Sequence, residues 1–187
     1  MEDSRFDALF AAEFGRDWAA VQRLSRQILS ASTLEPWQEG SARRCLANSY
    51  LAMSMKRDDI AKLSLRQSAV DEARKSVRAY EADPSHDPAS LSKSYVVLST
   101  AIHLNAIALP DADMAGKTNL NQEAIRAARK ALELHPTNIA AEEQLLKTKE
   151  MEDIYRETAQ ESDSKSGCLA LIVPIAVLIP LIKMIVR

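Results

Sequence analysis

The residues able to do chemistry are few and lie far apart. Cys45 and Cys168 sit in unlike surroundings, and a thiol becomes a nucleophile only where a neighbouring base or cation favours the thiolate. Two such cysteines offer neither a disulfide framework nor a metal spacing. His86 and His135 stand beside prolines in turn-like stretches, and His103 falls mid-helix with no Cys or carboxylate at ligand spacing. No G-x-S-x-G elbow, H-E-x-x-H helix or Gly-rich phosphate loop occurs, and the 4 glycines are unclustered. The acidic pairs Asp58-Asp59 and Glu142-Glu143 fall in expected first turns of helices, where the macrodipole favours negative charge. Asn105 lies in an apolar stripe and is expected to satisfy its amide in helix packing. Catalytic residues, metal ligands and cofactors are therefore all expected to be none, and the chemistry left is recognition.

A chain of 187 residues can bury a core of its own. Aromatics make up 5%, and long stretches are rich in Ala, Leu, Glu, Lys and Arg, which favours helix over sheet. The formal net charge of -2 gives no support to nucleic-acid binding. The opening MEDSRFDALF is acidic and lacks the basic and apolar regions of a secretory signal.

The positioning elements read as a series of amphipathic helices. Phe6, Leu9, Phe10 and Phe14 form a first stripe that Gly15 breaks. Asp17 can cap a second helix carrying Trp18, Val21, Leu24 and Ile28. A turn over 30–35 leads to Pro36, suited to a first helical position, and to Ala42, Leu46, Tyr50 and Met53 on one face. Asp58 or Asp59 can cap the next helix, which carries Ile60, Leu63, Val70, Ala73, Val77 and Tyr80. After the turn at 85–88 come Leu91, Tyr95, Leu98, Ile102 and Leu109 in register. Residues 110–118, PDADMAGKT, read as a loop. Ala124, Ala128 and Ala131 then put small residues on one helix face, and Leu132 and Leu134 close the stripe. Pro136 stops that helix, and Thr137-Asn138 can cap the next, which carries Ala141, Leu145, Ile154 and Tyr155. Small residues on a face let a neighbouring helix come close.

The spacing of Ala124, Ala128, Ala131-Leu132 and Pro136 resembles the second helix of a tetratricopeptide (TPR) repeat, and Leu46-Ala47 with Tyr50 resembles the first. Ala79-Tyr80 and Pro84 match the second helix again. Pro84 and Pro136 stand further apart than the roughly 34-residue TPR period, so longer helices and an insertion are expected. The resemblance spans about residues 37–150 and implies an all-α, TPR-like stack of about six to seven helices in antiparallel pairs. It also implies a concave surface that binds a partner peptide or helix. In some TPR domains basic and Asn side chains clamp a carboxylate. Arg44 and Asn48 match the first clamp pair, but Ala140 and Gln144 stand where the second would be basic, so the clamp is incomplete. Arg44 and Asn48 are the expected partner-binding residues.

Residues 157–167 are polar and Ser-rich, a linker after a helical domain over 1–156. Residues 168–187 then turn apolar, through Cys168, Leu169, Ile172, Pro174, Val177 and Pro180 to Lys183 and Arg187. At about 1.5 Å per residue this segment approaches the roughly 30 Å hydrocarbon thickness, with Lys183 able to snorkel. It is expected to be a single-pass C-terminal transmembrane helix, its prolines tolerated there, with the helical domain facing the cytosol. Helical domain, linker and anchor in that order are similar to the plan of the mitochondrial fission adaptor family. The expected function is a membrane-tethered adaptor that binds another protein and, through its tail, membrane lipid. The alternative is a soluble scaffold or enzyme subunit whose apolar tail packs in its own groove or in a homo-oligomer.

Overall fold

The computed structural model describes residues 4–58, 61–83 and 85–160. They form an all-α bundle of seven helices: α1 (Ser4–Phe14), α2 (Trp18–Leu29), α3 (Pro36–Ser54), α4 (Ala61–Glu81), α5 (Pro88–Ala108), α6 (Met114–Leu134) and α7 over 139–160. The expected linker over 157–167 begins inside α7, since 157–160 are helical; its remainder from 161 and the apolar segment 168–187 lie outside the described residues. So do Asp59, Ile60 and Pro84. Among the described residues no helix is long and apolar enough to cross a membrane.

Local chemistry sets the helix ends. The Asp17 carboxylate accepts from the Ala20 N–H at 3.0 Å and starts α2. Pro36 opens α3, and the Gln38 side chain reaches back to accept from the Glu35 N–H at 3.0 Å. Asp87 caps α5 ahead of Pro88 by accepting from Ala89 and Ser90. The Asn138 side-chain oxygen accepts from Ala141 at the start of α7.

The loop expected over 110–118 is mostly helix. Asp113 caps α6 by accepting from the Gly116 N–H at 2.9 Å, so the helix begins at Met114. A Cβ at Gly116 would run into that carboxylate. The glycine makes room for the cap instead of breaking the chain, and its usual meaning as a loop signal fails here.

Cross-helix bonds fix an antiparallel register between consecutive helices. Arg26 reaches Tyr50 and Gln22 reaches Met53 between α2 and α3. Arg43 meets Glu72 between α3 and α4. Ser76 meets Ser94, and Arg66 donates to the Leu104 carbonyl, between α4 and α5. Asn121 donates to the Thr148 carbonyl between α6 and α7. Beyond these neighbours, the α1 backbone lies close to α3 and that of α3 to α5, whereas α4 and α6 are joined through long side chains, Arg74 meeting Glu123 at 2.7 Å. Helices α1, α3 and α5 thus approach backbone to backbone in one layer, and α2, α4 and α6 stand further apart in the other. A stack built that way curves toward its odd layer.

α3 is shared by two apolar clusters. Ala42 and Cys45 pack with Phe6, Leu9, Val21 and Ile28 of the first two helices. Ala47 and Leu51 pack with Ala69, Val70, Ala73, Leu98, Ile102 and Ala124 of the following ones. Neighbours on both sides explain why α3 buries mainly small residues, among them Gly40, Ser41, Ser49 and Ser54.

Five expected core residues lie elsewhere, the first being Phe10, which is 37% exposed. Phe14 is 94% exposed, because the buried line through Phe6 and Leu9 continues at Glu13, not Phe14. Leu63 is exposed because α4 first becomes buried at Arg66. Leu109 caps α5 from outside the helix. Ile154 is exposed, and its neighbour Tyr155 takes the buried position.

Candidate functional site

The site begins at the corner between α1 and α2. The Asp17 N–H donates to the Ala12 carbonyl at 3.0 Å, and the Arg16 N–H to the Glu13 carbonyl at 3.1 Å. That pair of bonds is a Schellman closure, and it requires a left-handed residue after the cap. Arg16 occupies it, with φ 57°. Gly15, which could adopt this conformation without strain, stands one position too early. The conformation costs an L-residue roughly 1 kcal/mol, and it aims a cationic side chain off the corner.

Beside this corner, α3 presents Arg44, Cys45 and Asn48, which the structure brings together on one carboxylate. The Asn48 Nδ2 donates to Glu13 Oε1 at 2.8 Å. The Cys45 thiol donates to Oε2 at 3.3 Å. The Arg44 guanidinium lies 3.5 Å from Oε2. The pair expected to hold a partner's carboxylate therefore holds one from its own chain. Burial pushes the Cys45 thiol up to about 12; Arg44 works against this and Glu13 adds to it. The thiol stays protonated and acts as a core donor, not a nucleophile.

Asn48 also lines a cavity of about 590 Å³, with Leu51, Ala52, Met55 and Lys56 of α3 and the residues just after it. Arg16 and Trp18 close one side and Thr100 of α5 the other. This cavity lies on the odd-helix layer. Arg44 is not among its lining residues. Trp18 was legible as apolar. Glu13, Arg16 and Lys56 were not singled out by sequence: Lys56 simply follows α3, and only the turn geometry and the α1–α3 contact bring Glu13 and Arg16 to it. The three-residue gap between the end of α1 and the start of α2 was the available signal for Arg16, since so short a corner favours a left-handed residue.

A second cavity, of about 400 Å³, is lined by Phe10, Trp37, Tyr80, Ser85, His86 and Asp87, among others. Its Ser, His and Asp do not form a catalytic relay. The Ser85 hydroxyl donates to Asp83 at 2.7 Å, Ser90 donates to Asp87, and the His86 Nδ1–H is directed at the Asp83 carbonyl. Those serine bonds hold both carboxylates below their usual range.

His103 is buried, and its Nδ1 lies 3.1 Å from Asn121 Oδ1. Asn121 uses its Nδ2 on the Thr148 carbonyl, so the imidazole is the donor and carries its proton on Nδ1. Burial lowers the His103 pKa, the Asn121 bond opposes this, and Lys147 adds to it. Asn105, expected in packing, donates to Gln67 at 3.3 Å. His135 caps the end of α6. Among the described residues no group of three or more His, Cys, Asp or Glu could hold a metal ion.

No protein-family model matches the chain, and searches of curated proteins and of solved structures return no match.

Proposed function

We propose that this chain is a non-enzymatic interaction module, built as a TPR-like stack, that holds a peptide or helix of a partner protein in the groove over α3. We propose further that residues 168–187 tether it to a membrane. The groove carries the first reading. Trp18, Leu51, Ala52 and Met55 offer apolar grip, Asn48 and Thr100 offer polar orientation, and the lining residues include no Cys, His, Asp or Glu. The closure of α1, α3 and α5 into one layer supports the TPR-like reading, since stacked helix pairs bind on the surface toward which they curve. Arg44 contributes by seating Glu13 and so holding α1 beside the groove, while Asn48 faces it directly.

The test is selection of displayed random peptides against the full-length chain in a nonionic detergent. Selected peptides should lose binding to an Ala52→Trp variant whose circular dichroism is unchanged, because the indole fills the groove. Peptides that bind that variant as well as the parent chain would overturn the groove assignment. For the tether, full-length protein should resist carbonate extraction from membranes and a version ending at Ser166 should be released. Equal release of both would overturn it.

A further inference from the structure

We infer, on the basis of the groove reading, that the partner segment is acidic and amphipathic, with carboxylates meeting Arg16 and Lys56 and apolar side chains resting on Leu51, Ala52 and Met55. Charge complementarity argues for this. The chain as a whole carries -2, yet this groove is lined by two cations and no Asp or Glu. Two other cavities differ, one carrying Asp83 and Asp87 and another setting Glu142 against Lys149, and a third holds a single cation, Arg5. Several cations elsewhere are matched, as Arg43 is with Glu39 and Glu72, Arg74 with Glu123, and Lys117 with Asp111. Among the described residues Arg16 and Lys56 make no ion pair.

The backbone at Arg16 adds an independent observation. The left-handed position that closes α1 favours glycine, and here it carries the arginine that lines the groove. Strain held at a ligand-facing residue is a mark of function over stability. Asn48 spends one amide hydrogen on Glu13 and keeps a second donor for an incoming carboxylate.

The experiment reads the composition of the peptides selected as above and then swaps charge. The pool should be enriched in Asp and Glu interleaved with apolar residues. Anisotropy of the tightest labelled peptide should show affinity falling about tenfold in Lys56→Glu and falling with added salt. Arg16→Gly should raise the denaturation midpoint while weakening the same peptide, a combination that a purely structural arginine would not produce. Selection against Lys56→Glu should return a less acidic pool. A neutral or basic pool that still depends on Ala52 would overturn the charge assignment and leave the groove standing. A pool indifferent to Ala52→Trp would overturn both. Self-association of the chain that the selected peptide competes away would mean that the groove seats a second copy, and would likewise overturn this inference.

Discussion

The pairs α3/α4 and α5/α6 reach close approach by different means. On α6, Ala124, Ala128 and Ala131 are fully buried, and α5 answers with serines. Ser92 donates to the Ala131 carbonyl at 2.8 Å and Ser99 to the Ala124 carbonyl at 2.7 Å. Small side chains on both helices share the contact along its length. The α3/α4 contact also runs the length of both helices, but its tightest point is Gly40, which lies under the Tyr80 ring. A Cβ at position 40 would come within 2.5 Å of Tyr80 Cδ2 and Cε2. There the Tyr80 hydroxyl meets Ser41 at 2.7 Å, and Ser76 donates to the Gly40 carbonyl at 2.7 Å. A distributed contact shows in sequence as a stripe. A point contact leaves one glycine and one tyrosine with nothing to link them.

The largest expected effect is at the end of the α5/α6 contact, where Asn121 joins three helices. Asn121→Ala removes the acceptor of the His103 N–H and the donor to the Thr148 carbonyl. The His103 N–H is left unpaired at roughly 1–3 kcal/mol, and the Thr148 carbonyl keeps its bond within α7 but loses a second donor, which together predict a loss of about 3 kcal/mol in urea unfolding. A loss under 1 kcal/mol would mean that water replaces the amide and that the junction is wetter than its burial indicates. Next comes Ala128→Leu, which forces an isobutyl group into the distributed contact and should cost about 2–3 kcal/mol. Gly40→Ala should cost less, about 1–2 kcal/mol, because the alanine regains up to about 1 kcal/mol of helix propensity while displacing the ring. Reversal of that order would show that the tyrosine contact, not the alanine stripe, governs how closely pairs approach. A double variant should be additive within about 0.5 kcal/mol if the two contacts are independent, which the melting of the single and double variants decides.

The smallest effect is in pH. The folded chain resists protonating His103, whereas the unfolded chain takes up the proton as pH falls below 6.5. The unfolded state then holds more protons, so the His103 contribution is complete above that pH and declines below it. The slope should not exceed about 1.4 kcal/mol per pH unit. Comparing urea midpoints of the parent chain and His103→Gln between pH 5 and 8 isolates it; parallel profiles would mean that the imidazole is hydrated.

Much of the architecture was local and therefore visible in the chain. Asp17, Pro36, Pro88 and Asn138 mark helix starts through bonds or dihedral limits reaching no more than about four residues. The alanines of α6 repeat at helical spacing, so their shared face follows from the period alone. Gly116 shows where local reading stops. As a residue type it signals a loop, and only the position of the Asp113 carboxylate makes it part of a helix.

The candidate site shows the same boundary. Arg44 and Asn48 stand one helical turn apart, so their common face was fixed by sequence alone. That they converge on Glu13, and that Arg16 and Lys56 join Asn48 around one cavity, required the tertiary fold. Residues 44, 48 and 56 recur at multiples of four along α3 and just past its end, but 13 and 16 come from a separate part of the chain, and no periodicity connects the two groups. Their meeting depends on α1 lying against α3, which buries Phe6 and Leu9 with Ala42 and Cys45. Helix identity is settled by the few residues around each backbone bond. Which charged groups meet is settled by which apolar faces pack, and that choice belongs to the whole molecule.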